Sequence, residues 1–291
     1  MIKGILPAFV TPLNEDSTIN HEATCRLLDM QMAQGADGFY ICGATGEGLV
    51  MQPEARTDMA RTVVRHLAGR VPCISHIAAI DMTTTIRLAR EAEAVGCDYI
   101  AAIPPIYFTY TENDIYNYYK TISDSVHIPV MIYYHPAAGV TLSAELMTRL
   151  FSIENIMAVK WSRPDYFQMM RVKDMTHGEM NIINGPDETL LCGLACGADG
   201  GIGTTYNFML PRFRKLYEAF CAGRMEEARK NQYEIDRVIA ELFKGPVIPE
   251  TKAIMKAMGY DVGNATYPMH RLTDEEEKRL IARVRAAGLE L

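Results

Sequence analysis

A chain of 291 residues, 48% hydrophobic and 22% charged, has room for one large domain or two ordinary ones and enough apolar residues for a sizeable core. Its formal net charge is −7, mixed along the chain with no run of five like charges. That argues against a nucleic-acid or anionic-membrane surface and leaves any anionic substrate to local donors. No apolar stretch approaches the roughly eighteen residues of a membrane span. The opening Met-Ile-Lys-Gly-Ile-Leu-Pro is broken too early for a secretory leader, so a cytoplasmic protein is expected.

Eight short apolar segments recur at residues 4–11, 38–43, 72–78, 99–104, 129–135, 156–162, 181–185 and 200–205. Most are continuous runs, as strands covered on both faces are. Helical patterns alternate with them at 21–34, 53–67, 83–95, 112–123, 143–151 and 165–175. Such alternation implies a parallel sheet. A small repeat (Gly35-Ala36-Asp37, Gly96-Cys97-Asp98, Gly197-Ala198-Asp199) follows a helix and precedes a strand each time. The glycine suits a left-handed helix cap and the aspartate suits the turn into the strand. Eight such units predict an α/β fold, a (β/α)8 TIM barrel over residues 1–222. Beyond Pro211 only helical patterns remain, at 212–222, 225–242, 249–258 and 273–287, and residues 223–291 form a C-terminal helical appendage.

The seven cysteines, 25, 42, 73, 97, 192, 196 and 221, are odd in number and sit in apolar contexts, so buried free thiols are expected. Cys192 and Cys196 stand one helical turn apart, but no Cys or His pair accompanies them. No His-x-His or Glu-x-x-His pattern occurs either, so no metal site is expected.

Side chains that do chemistry in such barrels sit at the C-terminal ends of strands. Lys160 stands in Ile-Met-Ala-Val-Lys-Trp-Ser, where burying an ammonium is costly. Desolvation would lower its pKa and free the amine to attack a ketone, or it would pair with a buried carboxylate from another strand. Tyr133 ends the preceding strand and either relays protons near that amine or simply packs as an aromatic. Gly43-Ala44-Thr45-Gly46-Glu47 suits an anion cradle ahead of a helix, and equally an ordinary tight turn. His76 and His135 also fall at strand ends, where a lone histidine is more often a hydrogen-bonded core residue than a ligand.

Together these strand ends resemble the pyruvate-dependent class I aldolases of the N-acetylneuraminate lyase and dihydrodipicolinate synthase superfamily. The resemblance rests on Gly-Ala-Thr-Gly-Glu at 43–47, Tyr133 with Pro136, Lys160, and Gly-Ala-Asp-Gly-Gly-Ile-Gly-Thr-Thr-Tyr-Asn at 197–207. It runs from Gly4 to about Met258. Gly185-Pro186-Asp187-Glu188 is most similar to the lyase branch. The arginine that the synthase branch carries after Tyr-x-x-Pro is missing, Pro136 being followed by Ala137, Ala138 and Gly139.

The resemblance implies an imine on Lys160, which removes the need for a cofactor, and proton transfer through Tyr133. It places the pyruvyl carboxylate on Thr45 and the backbone around Ala44, sets the sugar chain against Ser162, Gly185, Asp187, Glu188 and Thr204, and counts Ala8 among the substrate-binding residues. Tyr107 becomes a subunit contact in a homotetramer, and the partner is a small keto acid. The implied reaction cleaves N-acetylneuraminate or a related 2-keto-3-deoxy sugar acid. Alternatives are another 2-keto-3-deoxy acid aldolase or dehydratase, a dihydrodipicolinate-synthase-type enzyme, or a non-catalytic regulator that binds sugar acids. Ala44 stands where a hydroxyl residue is usual, Tyr134-His135 replaces a smaller polar–apolar pair, Pro186 replaces a larger residue, and the loop after Pro136 is one residue short.

Overall fold

Strands that are apolar on both faces need helices outside and packed side chains inside, and the computed structural model, which describes residues 1–291, arranges them as a parallel barrel. The chain runs β1 (Gly4–Pro7), α1 (His21–Ala33), β2 (Phe39–Ile41), α2 (Pro53–Leu67), β3 (Cys73–His76), α3 (Met82–Val95), β4 (Tyr99–Ala102) and α4 (Glu112–Ser123). It continues through β5 (Val130–Tyr134), α5 (Ala144–Phe151), β6 (Ile156–Trp161), α6 (Tyr166–Met175), β7 (Asn181–Asn184), α7 (Leu190–Ala195), β8 (Gly200–Gly203) and α8 (Tyr206–Cys221). Three helices follow: α9 (Met225–Leu242), α10 (Val247–Ala257) and α11 (Asp274–Ala286). No helix is long and apolar enough to cross a membrane.

Strands pair in the order β1-β8-β7-β6-β5-β4-β3-β2. A parallel bridge between Ala8 and Tyr40 closes the circle, with the Phe9 N–H donating to the Tyr40 carbonyl at 2.8 Å. Asn207 ties the seam at the top: its Nδ2 donates to the Ala8 carbonyl at 2.7 Å and its Oδ1 accepts from Val10 N at 3.1 Å.

The Gly-x-Asp repeat has a sharper role than the turn expected of it. Gly35, Gly96 and Gly197 take φ of 91°, 93° and 97°, the left-handed region that glycine enters without strain. Each aspartate then reaches across to the preceding strand rather than holding its own turn. Asp37 Oδ2 accepts from Ile5 N at 2.8 Å, Asp98 Oδ2 from Cys73 N at 2.8 Å, and Asp199 Oδ2 from Ile182 N at 3.1 Å. Three strand starts whose amides face no ladder partner are thereby satisfied.

The appendage is continuous with the barrel. One apolar cluster of 80 buried residues runs from Ile2 to Leu289 and includes Ile235, Ile239, Ile254 and Leu280 of the last three helices. Glu47, in the turn after β2, is paired with Lys252 of α10 at 2.6 Å with both side chains out of solvent.

The cysteines correct an expectation. All seven are free, but only Cys42, Cys73 and Cys97 are buried, while Cys192 and Cys221 are exposed and Cys25 and Cys196 half-buried. The exposed pair lie on outer faces of α7 and α8, which apolar sequence context alone does not reveal.

Candidate active site

Alternation along a strand sends every second side chain into the barrel. Tyr40 of β2, His76 of β3, Tyr133 of β5 and Lys160 of β6 all meet inside. The ring centroids of Tyr40 and Tyr133 are 5.8 Å apart, as are those of His76 and Tyr133. Tyr134 and Trp161, the next residues along, pack together on the outer face at 5.0 Å. Parallel register sets Tyr133 directly beside Lys160.

Lys160 is 5% exposed, and its Nζ lies 4.6 Å from the ring centroids of both Tyr40 and Tyr133. Two aromatic faces favour the ammonium, yet burial outweighs them and lowers the pKa from 10.5 to about 8, against the charge of Asp187. No carboxylate stands at ion-pair distance, so the amine is not the partner of a buried acid, and about a tenth of it is neutral at pH 7. Burial likewise pushes the Tyr133 phenol above its ordinary value, opposed by a hydrogen bond with the Ser162 hydroxyl.

Above these residues opens a cavity of about 440 Å³, within the usual size range for a small-molecule site. Its wall includes Ala44, Thr45, Tyr133, Lys160, Ser162, Gly185, Glu188 and Thr204, eight residues expected from the sequence. A larger cleft of about 650 Å³ lies elsewhere, between the loop around Asn14 and the segment around Asn264. Its lysine, Lys256, is already held by Glu277 at 2.6 Å, and it contains no poised nucleophile.

Thr45 Oγ1 and Thr204 Oγ1 are 2.7 Å apart at one end of the cavity, and the Ala44 and Thr45 amides donate to no protein acceptor. Two free N–H groups beside two hydroxyls are the donors a carboxylate needs. The cradle does not lead straight into α2, as the sequence suggested. A single 3-10 turn, Gly48–Val50, intervenes, and the amides of Glu47 and Gly48 are consumed within the turn by the Ala44 and Gly43 carbonyls. At the other end, a Cβ on Gly185 would stand 2.0 Å from Ser162 Oγ, so only glycine lets β7 approach that hydroxyl.

Three expected residues lie outside the cavity wall. Ala8 is spent on barrel closure, as described. Asp187 turns its carboxylate inward, where Oδ2 accepts from both Thr205 N and Thr205 Oγ1 at 2.7 Å. Burial raises its pKa to about 6, and the Thr205 bonds oppose that shift. It therefore braces the β7 turn against the start of α8 and leaves Glu188 to face the cavity. Tyr107 is 85% exposed on the loop after β4, edge-on to Phe108 at 4.9 Å.

Sequence reasoning missed Tyr40, set aside His135, and gave the appendage no part in the site. Yet Val247 and Ile248, from the first turn of α10, line the cavity, as does His135. For Tyr40 and His135 the inward parity of β2 and β5 was the available signal. Val247 and Ile248 follow Gly245-Pro246, which reads only as a helix stop. His76 is the core histidine expected of it: its Nε2 accepts from Ile103 N at 3.3 Å, and burial holds it well below the usual histidine range.

The model of the dihydrodipicolinate synthetase family matches residues 1–287 of this chain. The chain belongs to the dihydrodipicolinate synthetase family. As a member, it is a pyruvate-dependent lyase. Among curated members it is 34% identical to the N-acetylneuraminate lyase of Rhizobium meliloti (strain 1021) over 275 residues, 94% of this chain and 92% of that one. Among solved members it is similar to a dihydrodipicolinate synthase from Bacillus anthracis, with a TM-score of 0.94, 28% identity and 98% of each chain covered. It is also similar to the N-acetylneuraminate lyase of Proteus mirabilis, with a TM-score of 0.94, 27% identity and 99% of each chain covered. Synthase and lyase members thus share the barrel equally well, and the fold does not choose between their substrates.

Proposed function

We propose that this family member is a Schiff-base aldolase that cleaves N-acetylneuraminate or a related 2-keto-3-deoxy sugar acid to pyruvate and an aldehyde or sugar. The observation that carries the reading is the Lys160 amine, unpaired, desolvated to a pKa of about 8 and set beside Tyr133 at the floor of the cavity. The neutral amine attacks the C2 carbonyl, water leaves, and the protonated imine becomes the electron sink; no separate cofactor is needed. The keto acid's carboxylate rests on the Ala44 and Thr45 amides and the Thr45 and Thr204 hydroxyls. Because burial keeps Tyr133 protonated at rest, it works as a relay. It passes its own proton to the substrate carboxylate as it takes the C4 hydroxyl proton. The C3–C4 bond breaks, its electron pair forms the enamine, and protonation at C3 followed by hydrolysis releases pyruvate. Ser162 and Glu188 meet the hydroxyls of the departing chain. The missing arginine after Pro136 favours this lyase over a synthase.

A panel of N-acetylneuraminate, 2-keto-3-deoxygluconate and 5-keto-4-deoxyglucarate, scored by pyruvate release through lactate dehydrogenase, tests the reading. At least one should be cleaved, with kcat/KM rising about tenfold per pH unit below 8 and levelling above it, as the amine loses its proton. No pyruvate from any of the three, or a rate indifferent to pH between 6 and 8, removes it. The exposed Tyr107 and Phe108 rings support a subunit contact in a homotetramer, and a monomer in sedimentation would remove that part.

A further inference from the structure

His135 is the one ionisable cavity-lining residue that the reaction above leaves unused. It ends the inward row of β5, two residues past Tyr133, with its ring against Tyr133 at a centroid distance of 5.1 Å. Its Nδ1 accepts a hydrogen bond from Ala137 N at 3.1 Å, capping the 3-10 turn Pro136–Ala138. An imidazole nitrogen that accepts carries no proton, so in the neutral ring the hydrogen sits on Nε2. No protein hydrogen bond engages Nε2, which lies on the opposite edge of the ring from the turn and is left to the cavity. Burial, the Lys160 charge and then the Arg163 charge push the imidazole down to about 4, so the ring stays neutral across the working range.

We infer that His135 is a specificity-determining residue: a neutral N–H donor, its tautomer fixed by the backbone, that takes a hydrogen-bond acceptor on the part of the substrate beyond the bond that breaks. The inference rests on the keto-acid reading of this same cavity. The amine and the carboxylate cradle occupy the β6, β2 and β8 sides, so pyruvate alone does not extend to the β5 rim. Two strands round the rim, the Glu188 carboxylate of the β7 turn also lines the cavity and presents acceptor oxygens. A substrate that satisfies both walls offers a lone pair to His135 and a hydroxyl proton to Glu188. Those are the features of a polyhydroxylated 2-keto acid with a hydroxyl or acyl oxygen facing β5. An apolar tail would displace water from the His135 N–H without replacing its hydrogen bond, and a donor left unmet in that way discriminates more strongly than lost contact area does. A truncated tail leaves the N–H to water and gains nothing from it.

Two near-isosteric replacements separate this role from the turn-capping one. His135→Asn keeps an acceptor where Nδ1 meets the Ala137 amide and loses the far donor. His135→Gln reaches the Nε2 position with an N–H and loses the cap. Each is assayed on the panel acid that the unmodified protein turns over fastest and on 2-keto-4-hydroxybutanoate, which ends at C4. His135→Asn should lose roughly 10- to 100-fold in kcat/KM on the long acid and no more than about twofold on the short one, with His135→Gln retaining most activity on both. An equal loss on the two acids, an Asn variant indistinguishable from the unmodified protein, or a Gln variant as impaired as Asn on the long acid overturns the assignment. Borohydride trapping of pyruvate, expected to be unchanged in both variants, reads folding and imine formation separately. No adduct in the unmodified protein would instead remove the keto-acid reading, and the His135 role with it.

Discussion

Lys160→Met should abolish turnover and borohydride trapping of pyruvate, and at the same time make the protein more stable. The two effects share one cause. An ammonium held at about 8 instead of 10.5 represents about 3 kcal/mol of penalty in the folded state, present wherever both states are protonated. The sign follows from proton counting. Between pH 8 and 10.5 the unfolded chain binds the proton that the folded chain has lost, so the penalty fades as pH rises through that window. Below pH 8 it is undiminished. Methionine fills similar volume in the barrel without a charge, so thermal unfolding at pH 7 should shift upward by several degrees. The gain should shrink when the comparison is repeated at pH 10. The favourable charge contact with Asp187 is already contained in that figure, so the gain expected on removing the ammonium is about 3 kcal/mol. Residual trapping in the variant would move the imine to another amine. A variant less stable than the unmodified protein at pH 7 would mean that the buried ammonium is compensated after all.

The same balance explains how much of this molecule was legible beforehand. Helices α2, α4 and α9 have the bounds that the pattern gave, because local chemistry marks their ends. Pro53 opens α2, and a capping box between Thr111 and Asp114 opens α4. Lys160 and Tyr133 stood out because a lysine or tyrosine at the end of an apolar strand is costly enough to ask for a reason. By contrast, α7 was implied only by the Gly197 turn that follows it and had no bounds of its own: in Leu190–Ala195 three leucines and a glycine are buried, so no polar face marks a helical period. The start of α8 was hidden by Pro211, which reads as a helix beginning. Here it follows a kink at Met209, and the chain is already helical from Tyr206. Asp187 was given a substrate role by the resemblance of Gly185-Pro186-Asp187-Glu188 to the lyase branch. Only the fold shows Thr205 occupying its carboxylate. His135 was set aside because a lone histidine at a strand end reads as a core residue; the parity of β5 pointed it inward, but that it lines the cavity is a tertiary fact.

The pairing of Glu47 with Lys252 is such a tertiary fact, and breaking it should have the second large effect. Glu47 sits at φ 61°, a left-handed conformation that costs a non-glycine residue about 1 kcal/mol or more unless its surroundings enforce it. Its Oε2 accepts from Thr266 N at 2.5 Å, while Lys252, 2.6 Å from Oε1, also donates to the Asn264 carbonyl at 2.9 Å. The ammonium approaches Oε1 as an ion more than as an aligned donor, since Oε1 has no hydrogen bond of good geometry. One carboxylate thus joins the cradle turn to α10 and to the segment behind it, and so joins the Ala44–Thr45 floor to the Val247–Ile248 wall. Lys252→Met leaves Glu47 charged and alone in the core and should cost about 3–5 kcal/mol in thermal or urea unfolding. Adding Glu47→Gln, whose amide oxygen still accepts from Thr266 N, should recover most of that loss, because neither member is then charged. The double variant should still show a raised KM for the keto acid with kcat changed less, since floor and wall are no longer held by charge to one spacing. Two independent residues would show additive losses, so a double variant as unstable as the sum of its singles would break the argument that this pair is the hinge between the barrel mouth and its helical cover.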